Sequence, residues 1–256
     1  MTTAQDILQF IETIAPKELK MDGDNVGLLC GRRNKEVRKV LVALDPFPHV
    51  CREAAEIGAD LLVTHHPLIF QPLPSITEQT TIGQAILELV SHDISTINAH
   101  TNLDCADGGV NDTFAQCLGL ENIRKIPEDS VGVLRQGEIA EQDLDAFLAH
   151  VKQALGCQCL RYVQGEKPVR RVAVGGGACG SEFPAVLASG CDTFVTADLK
   201  YNHFCDAEAF GINLIDAGHF HTENPVCAVL AKKLSEEFPD VRVVLSSRHA
   251  DCMHFF

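Results

Sequence analysis

Positive charge is scarce in this sequence. Lysine and arginine together number 21 against 35 aspartates and glutamates, giving a net charge of -14 and a pI near 5.1. That balance excludes a broad basic surface for nucleic acid, but leaves room for a local positive site such as one made by metal ions. Long apolar runs are also missing: none approaches the roughly 20 residues needed to cross a bilayer. Met1 to Phe10 has neither a basic start nor a long apolar stretch, so no secretory leader is expected and the protein is placed in the cytoplasm. Closely paired cysteines are scarce as well. The eleven cysteines are odd in number and scattered, and Cys157-x-Cys159 is the one close pair. A structural zinc site needs a second pair, so most of these thiols read as small buried hydrophobes in a reducing compartment.

What is present is an ordinary globular composition, 46% hydrophobic and 22% charged over 256 residues. This is enough chain for one large domain or two small ones. Thr3 caps a helix whose apolar face is Ile7, Phe10, Ile11 and Ile14, and Pro16 ends it. Val40–Leu44 reads as a strand, Pro46–Ile57 as a helix stopped by Gly58, and Leu61–Thr64 as a buried strand. Thr81–Asp93 is an amphipathic helix, Ile94–Asn98 a short strand and Val110–Leu118 another helix. Strands alternating with helices predict an α/β fold with mostly parallel pairing.

The second half repeats the first. Val37-Arg38-Lys39-Val40-Leu41-Val42 matches Val169-Arg170-Arg171-Val172-Ala173-Val174. Gly58-Ala59-Asp60-Leu61-Leu62-Val63-Thr64 matches Gly190-Cys191-Asp192-Thr193-Phe194-Val195-Thr196, and both blocks stand 132 residues apart. Ile97-Asn98-Ala99-His100 resembles Ile215-Asp216-Ala217-Gly218-His219. An internal duplication follows: two similar α/β lobes, residues 1–125 and 126–256, with their strand ends facing a shared cleft that would carry the site.

Candidate ligands collect where strands end. His65-His66-Pro67 follows the Leu61–Thr64 run, His100 and Asp104 follow the strand ending at Asn98, and His219, His221 and Glu223 follow the run through Ile215. Ligand sites in open α/β sheets lie beyond the carboxyl ends of strands. Imidazole with carboxylate suits zinc, iron, manganese or nickel better than calcium. Neighbouring side chains on extended backbone point to opposite sides, which makes His65 and His66 natural ligands for two ions rather than one. Gly132–Ile139 reads as a further strand. Val174 runs into Gly175-Gly176-Gly177-Ala178-Cys179-Gly180-Ser181, for which two readings stand: a tight turn, or a cradle of backbone N–H groups for an anion. It lacks the Gly-Lys of a P-loop.

Thr64-His65-His66-Pro67, Ala99-His100-Thr101-Asn102-Leu103-Asp104 and Gly218-His219-x-x-x-Glu223 together resemble the signature of the NIF-three-like dinuclear-metal family, also called the type 2 GTP cyclohydrolase I family. Asp24-Asn25-Val26-Gly27-Leu28 resembles its N-terminal motif, with Gly23 where the family often has tryptophan. The resemblance spans nearly the whole chain and matches the short form, with no extra domain between the lobes. It implies a homohexamer with two divalent metal ions per subunit. His65 and Asp104 would serve one ion, His66 and His219 the other, and Glu223 both. His100 and His221 match less securely as ligands: His100 reads either as a residue behind a ligand or as an acid/base group, and His221 as a weak candidate or an ordinary surface histidine.

Three neutral imidazoles and two carboxylates cannot saturate two ions that each take four to six ligands. The open positions mark a catalytic site, and two adjacent ions favour hydrolysis. The expected function is a metal-dependent hydrolase acting on a small anionic substrate, a nucleotide or related phosphorylated compound, with GTP ring opening suggested by the family's name. The competing reading is a non-enzymatic metal-binding ring protein serving as a partner-binding or regulatory module.

Overall fold

The β-branched apolar runs become the central strands of two mixed sheets in the computed structural model, which describes residues 1–256. The first sheet has the order Gly27–Cys30, Ser95–Asn98, Leu61–Thr64, Lys39–Ala43, Arg242–Leu245. The second has the order Glu121–Lys125, Arg135–Gln142, Val169–Val174, Thr193–Thr196, Asn213–Asp216, Arg161–Val163. In each, three adjacent parallel strands form the centre and an antiparallel strand flanks the third of them. The central strands are almost wholly buried on both faces, which is why they read as continuous apolar runs.

The duplication reaches individual hydrogen bonds. Val40, Leu41 and Val42 pair with Leu61, Leu62 and Val63. Val172, Ala173 and Val174, each 132 residues later, pair with Thr193, Phe194 and Val195 in the same register. The carboxylate of Asp60 accepts from the Arg38 and Lys39 amides at 2.9 and 3.0 Å. Asp192 does the same for Arg170 and Arg171 at 3.1 and 2.8 Å. Each acid satisfies two donors at the start of the neighbouring strand and so fixes its register.

The units fold around separate cores. Leu41, Val50, Leu62, Ile86 and Leu89 are central to the first. Phe114, Phe147, Val172, Val195 and Ile215 are central to the second. Helix Ala4–Ile14 starts with a capping box between Thr3 and Asp6 and buries Ile7, Leu8 and Ile11, a cap typically contributing about 1 kcal/mol. Helix Pro48–Glu56 and helix Thr81–Ser91 occupy the expected stretches, each ending a residue or two early.

The compact units are Met1–Ala106 with Cys227–Ala250, and Asp107–Val226 with Asp251–Phe256. They differ from a division at residue 125 in two places. Phe114 and Ala115 of helix Val110–Cys117 enter the second core, and Glu121–Lys125 pairs antiparallel with Arg135–Gln142. In the other direction, Arg242–Leu245 lies parallel to Lys39–Val42 at the edge of the first sheet. No helix is long and apolar enough to cross a membrane.

Candidate metal centre

In the first unit the three parallel strands deliver their donors at their carboxyl ends. Asp45 follows Lys39–Ala43, His65 and His66 follow Leu61–Thr64, and His100 follows Ser95–Asn98. The strand stops at Thr64, and His65 and His66 lie in a bend. Their rings therefore converge, with centroids 4.8 Å apart, instead of pointing to opposite sides as extended backbone would require. One nitrogen from each of His65, His66 and His100 lies within 4.8 Å of the others. Asp104, on the short helix Thr101–Cys105, brings Oδ1 to 3.6 Å from His65 Nε2.

Each imidazole is held from behind. His65 Nδ1–H donates to the Ala99 carbonyl (2.8 Å), His66 Nδ1–H to Asp45 Oδ1 (2.6 Å), and His100 Nδ1–H to Asp24 Oδ1 (2.8 Å). A carbonyl or a carboxylate can only accept, so each Nδ1 carries a proton, and in the neutral ring it is Nε2 that then holds the lone pair. Burial works against charge on Asp24, but hydrogen bonds from His100 and Thr101 outweigh it and hold the carboxyl well below the usual carboxylate range. In Asp45 burial is again outweighed, here by His249 and His66. His249 donates from Nε2 to Asp45 Oδ2 at 3.0 Å while its Nδ1 accepts from the Leu44 amide at 3.4 Å.

The second unit repeats the device. His219 Nδ1–H donates to Asp198 Oδ2 (2.8 Å), and Nε2 lies 2.9 Å from Glu223 Oε2. Glu223 is buried, at 4% exposure. A lone-pair nitrogen and a carboxylate oxygen at that distance call for a positive charge, a proton or a cation, shared between them. His221 differs: Nδ1 is 3.2 Å from the Leu155 carbonyl and Nε2 is 3.2 Å from Asp251, so both nitrogens are engaged structurally.

The glycine-rich turn is not an anion cradle. The Gly175, Gly176 and Gly177 amides donate to the Val195 carbonyl, Asn111 Oδ1 and Thr222 Oγ1. The run is glycine because it is crowded: a Cβ on Gly177, at φ +65°, would lie 2.1 Å from Glu223 Oε1. The backbone thus makes room for the carboxylate.

The sequence pattern of the family described as Duf34/NIF3 (NGG1p interacting factor 3) matches residues 2–251. The chain belongs to the Duf34/NIF3 family. A GTP cyclohydrolase 1 type 2 homolog of Clostridium perfringens is 37% identical over 257 residues, covering 98% of both chains. The Helicobacter pylori GTP cyclohydrolase 1 type 2 is 30% identical, covering 91% of this chain and 92% of the relative. Among solved structures, a Bacillus cereus protein related to NIF3 superposes with a TM-score of 0.93 at 26% identity, covering 100% of this chain and 99% of the other. Reduced HcgD from Methanocaldococcus jannaschii superposes with 0.83 at 32% identity, covering 95% and 97%.

As a Duf34/NIF3 chain, it has a donor set that could hold a metal: imidazoles that in their neutral form present Nε2, with carboxylates within reach and an acceptor behind each ring. Sequence reasoning singled out His65, His66, His100, Asp104, His219 and Glu223 as candidates, and Asp24 as part of a motif without a role behind His100; it did not single out Asp45 or Asp198. Asp45 and Asp198 carried one usable signal, since both stand within two residues of a parallel strand's carboxyl end.

Proposed function

We propose that this chain is a dinuclear metal-dependent hydrolase acting on a nucleotide or a related phosphorylated compound, with GTP ring opening as the reaction its relatives' names suggest. The observation that carries this reading is the shared treatment of four histidines. In each of His65, His66, His100 and His219 an acceptor fixes the proton on Nδ1 and leaves Nε2 to bind a cation. His65, His66, Asp104, His219 and Glu223 would hold two divalent ions of zinc, iron, manganese or nickel type, with Glu223 shared, because a carboxylate has two oxygens to give and a histidine one nitrogen. Such ions supply an acidified water and a Lewis acid for the group attacked. His100, backed by Asp24, would accept a proton at Nε2, with the carboxylate stabilising the imidazolium that results. The family resemblance supports a cytoplasmic homohexamer, which light scattering tests.

The direct experiment measures metal content by plasma mass spectrometry and GTP turnover before and after chelation and metal return. Glu223→Gln is expected to lose at least one ion per subunit and the turnover, with the fold intact by circular dichroism. His65→Ala should mainly weaken one of the two sites. A Glu223→Gln protein that keeps two tight ions and full activity would make the shared-carboxylate assignment wrong and point to Asp104. Two ions held without turnover on any nucleotide would favour the non-enzymatic, partner-binding reading.

A further inference from the structure

Beside His66, within the first unit, lies a cavity of about 310 Å³ whose walls are Pro46, Phe47, Leu68, Phe70 and Ile82. It sits at the small end of the range for ligand sites. Three of its large side chains keep much of their surface uncovered: Phe47 is 41%, Phe70 48% and Ile82 37% exposed. No lysine or arginine lines it. The polar side chains of the lining are Thr81, His66 and Asp45, and Asp45 is an anion already bonded to both His66 and His249. A phosphate therefore meets no cationic lysine or arginine side chain in this wall and one carboxylate to repel it.

The cavity adjoins the donor cluster. His66 is part of its wall, and the Phe70 ring stands edge-on to His100, centroids 6.1 Å apart at 89°. The wall is also fixed in place: Asn25 Nδ2 donates to the carbonyl of Ile69, next to Phe70, at 2.6 Å. This gives the Asp24-Asn25 pair two tasks, Asp24 behind His100 and Asn25 behind the loop that carries Phe70.

We propose that this cavity is a subsite for an uncharged, planar heteroaromatic ring of the substrate, such as a nucleobase, held by the Phe47 and Phe70 rings without recognition of its phosphate. The proposal rests on the nucleotide reading of the metal centre and says which part of the nucleotide lies beside His66. Two aromatic walls favour a flat π-system over an aliphatic chain, and a volume this small suits one ring system with little beyond it.

The test is a binding measurement on the full chain as purified, by saturation-transfer NMR and calorimetry, with guanosine, ribose 5-phosphate and inorganic phosphate as probes. Binding needs no turnover, so its outcome stands apart from that of the hydrolase reading. Phe70→Ala should weaken guanosine by about tenfold, the scale of one lost base–aromatic stack, and leave phosphate, ribose 5-phosphate and metal content unchanged. Phe70→Leu, which keeps apolar bulk and loses the ring, should weaken guanosine nearly as much, while Phe70→Trp should restore it. Phe47→Ala should also weaken guanosine, and Phe210→Ala, exposed in the second unit, should not. Guanosine that fails to bind, or binds Phe70→Ala or Phe70→Leu as well as the parent, overturns the subsite. So does a parallel loss of phosphate affinity in Phe70→Ala.

Discussion

Adding one methyl group at Gly177 should displace Glu223, a proposed metal ligand, without unfolding the protein. The new Cβ would lie 2.1 Å from Glu223 Oε1, 3.1 Å from its Cδ and 3.2 Å from His219 Cε1. Relief to ordinary contact needs a shift of roughly 1 Å or more in the carboxylate, whereas metal–ligand distances tolerate about 0.2 Å. The backbone adds a separate penalty, because φ is +65° and a left-handed alanine costs about 1–2 kcal/mol. Gly119→Ala is the matched control: its φ is +67° and a Cβ there meets nothing within 4 Å. Both variants should therefore lose similar backbone stability in a thermal or urea melt. Only Gly177→Ala should lose metal, by at least about tenfold in affinity, read by competition with a metal-buffering chelator. Parental metal affinity in Gly177→Ala, or an equal loss in Gly119→Ala, would refute the crowding argument.

Asp45→Asn keeps the shape behind His66 but removes the fixed acceptor charge, so the imidazole can turn over or carry its proton on Nε2. Metal affinity should fall about 10–100-fold with little change in the melt. Glu53 is buried at 4% exposure and holds the Ser246–Arg248 turn: its carboxylate accepts from the Ser247 amide and hydroxyl at 2.8 and 2.7 Å, and from Ser246 and Arg248. Burial opposes its charge, but these bonds win and its pKa lies below the ordinary value. A lowered folded-state pKa gives stability that is fully present above the unfolded value of about 4.3 and is lost as pH falls through the lower folded value. Glu53→Gln should lose on the order of 1–2 kcal/mol at pH 7 and show a flatter acid limb in urea melts below about pH 5.

The candidate donors were legible in the sequence because the α/β rule is local: an apolar strand, then a histidine. The duplication was as visible, since one offset relates Val40 to Val172 and Leu61 to Thr193, and these pairs share a register in their sheets. The supporting acids were not visible, because Asp24 meets His100 across 76 residues and Asp45 meets His66 across 21, and no local pattern announces such a pairing. The glycine turn looked like a phosphate cradle because glycine also serves close packing, and only the positions of Asn111, Thr222 and Glu223 decide between the two. The compact units depart from a division near residue 125 for a related reason. Nothing in Arg242–Leu245 itself says that it pairs with Lys39–Val42 rather than with a neighbour in sequence.

That returning strand sets an order for the chain's birth. As synthesis proceeds, the strands of the second sheet have all been made by Asp216, while Lys39–Ala43 still lacks its neighbour Arg242–Leu245. For the time the ribosome takes to make the next two hundred residues or so, at about 5–20 residues per second, the apolar strand Lys39–Ala43 is itself the bare edge of the first sheet. An apolar edge left bare is where nascent chains stick to one another. The first unit to begin is thus the last to close, and nascent protein stalled before Arg242 should be the form that most needs a chaperone.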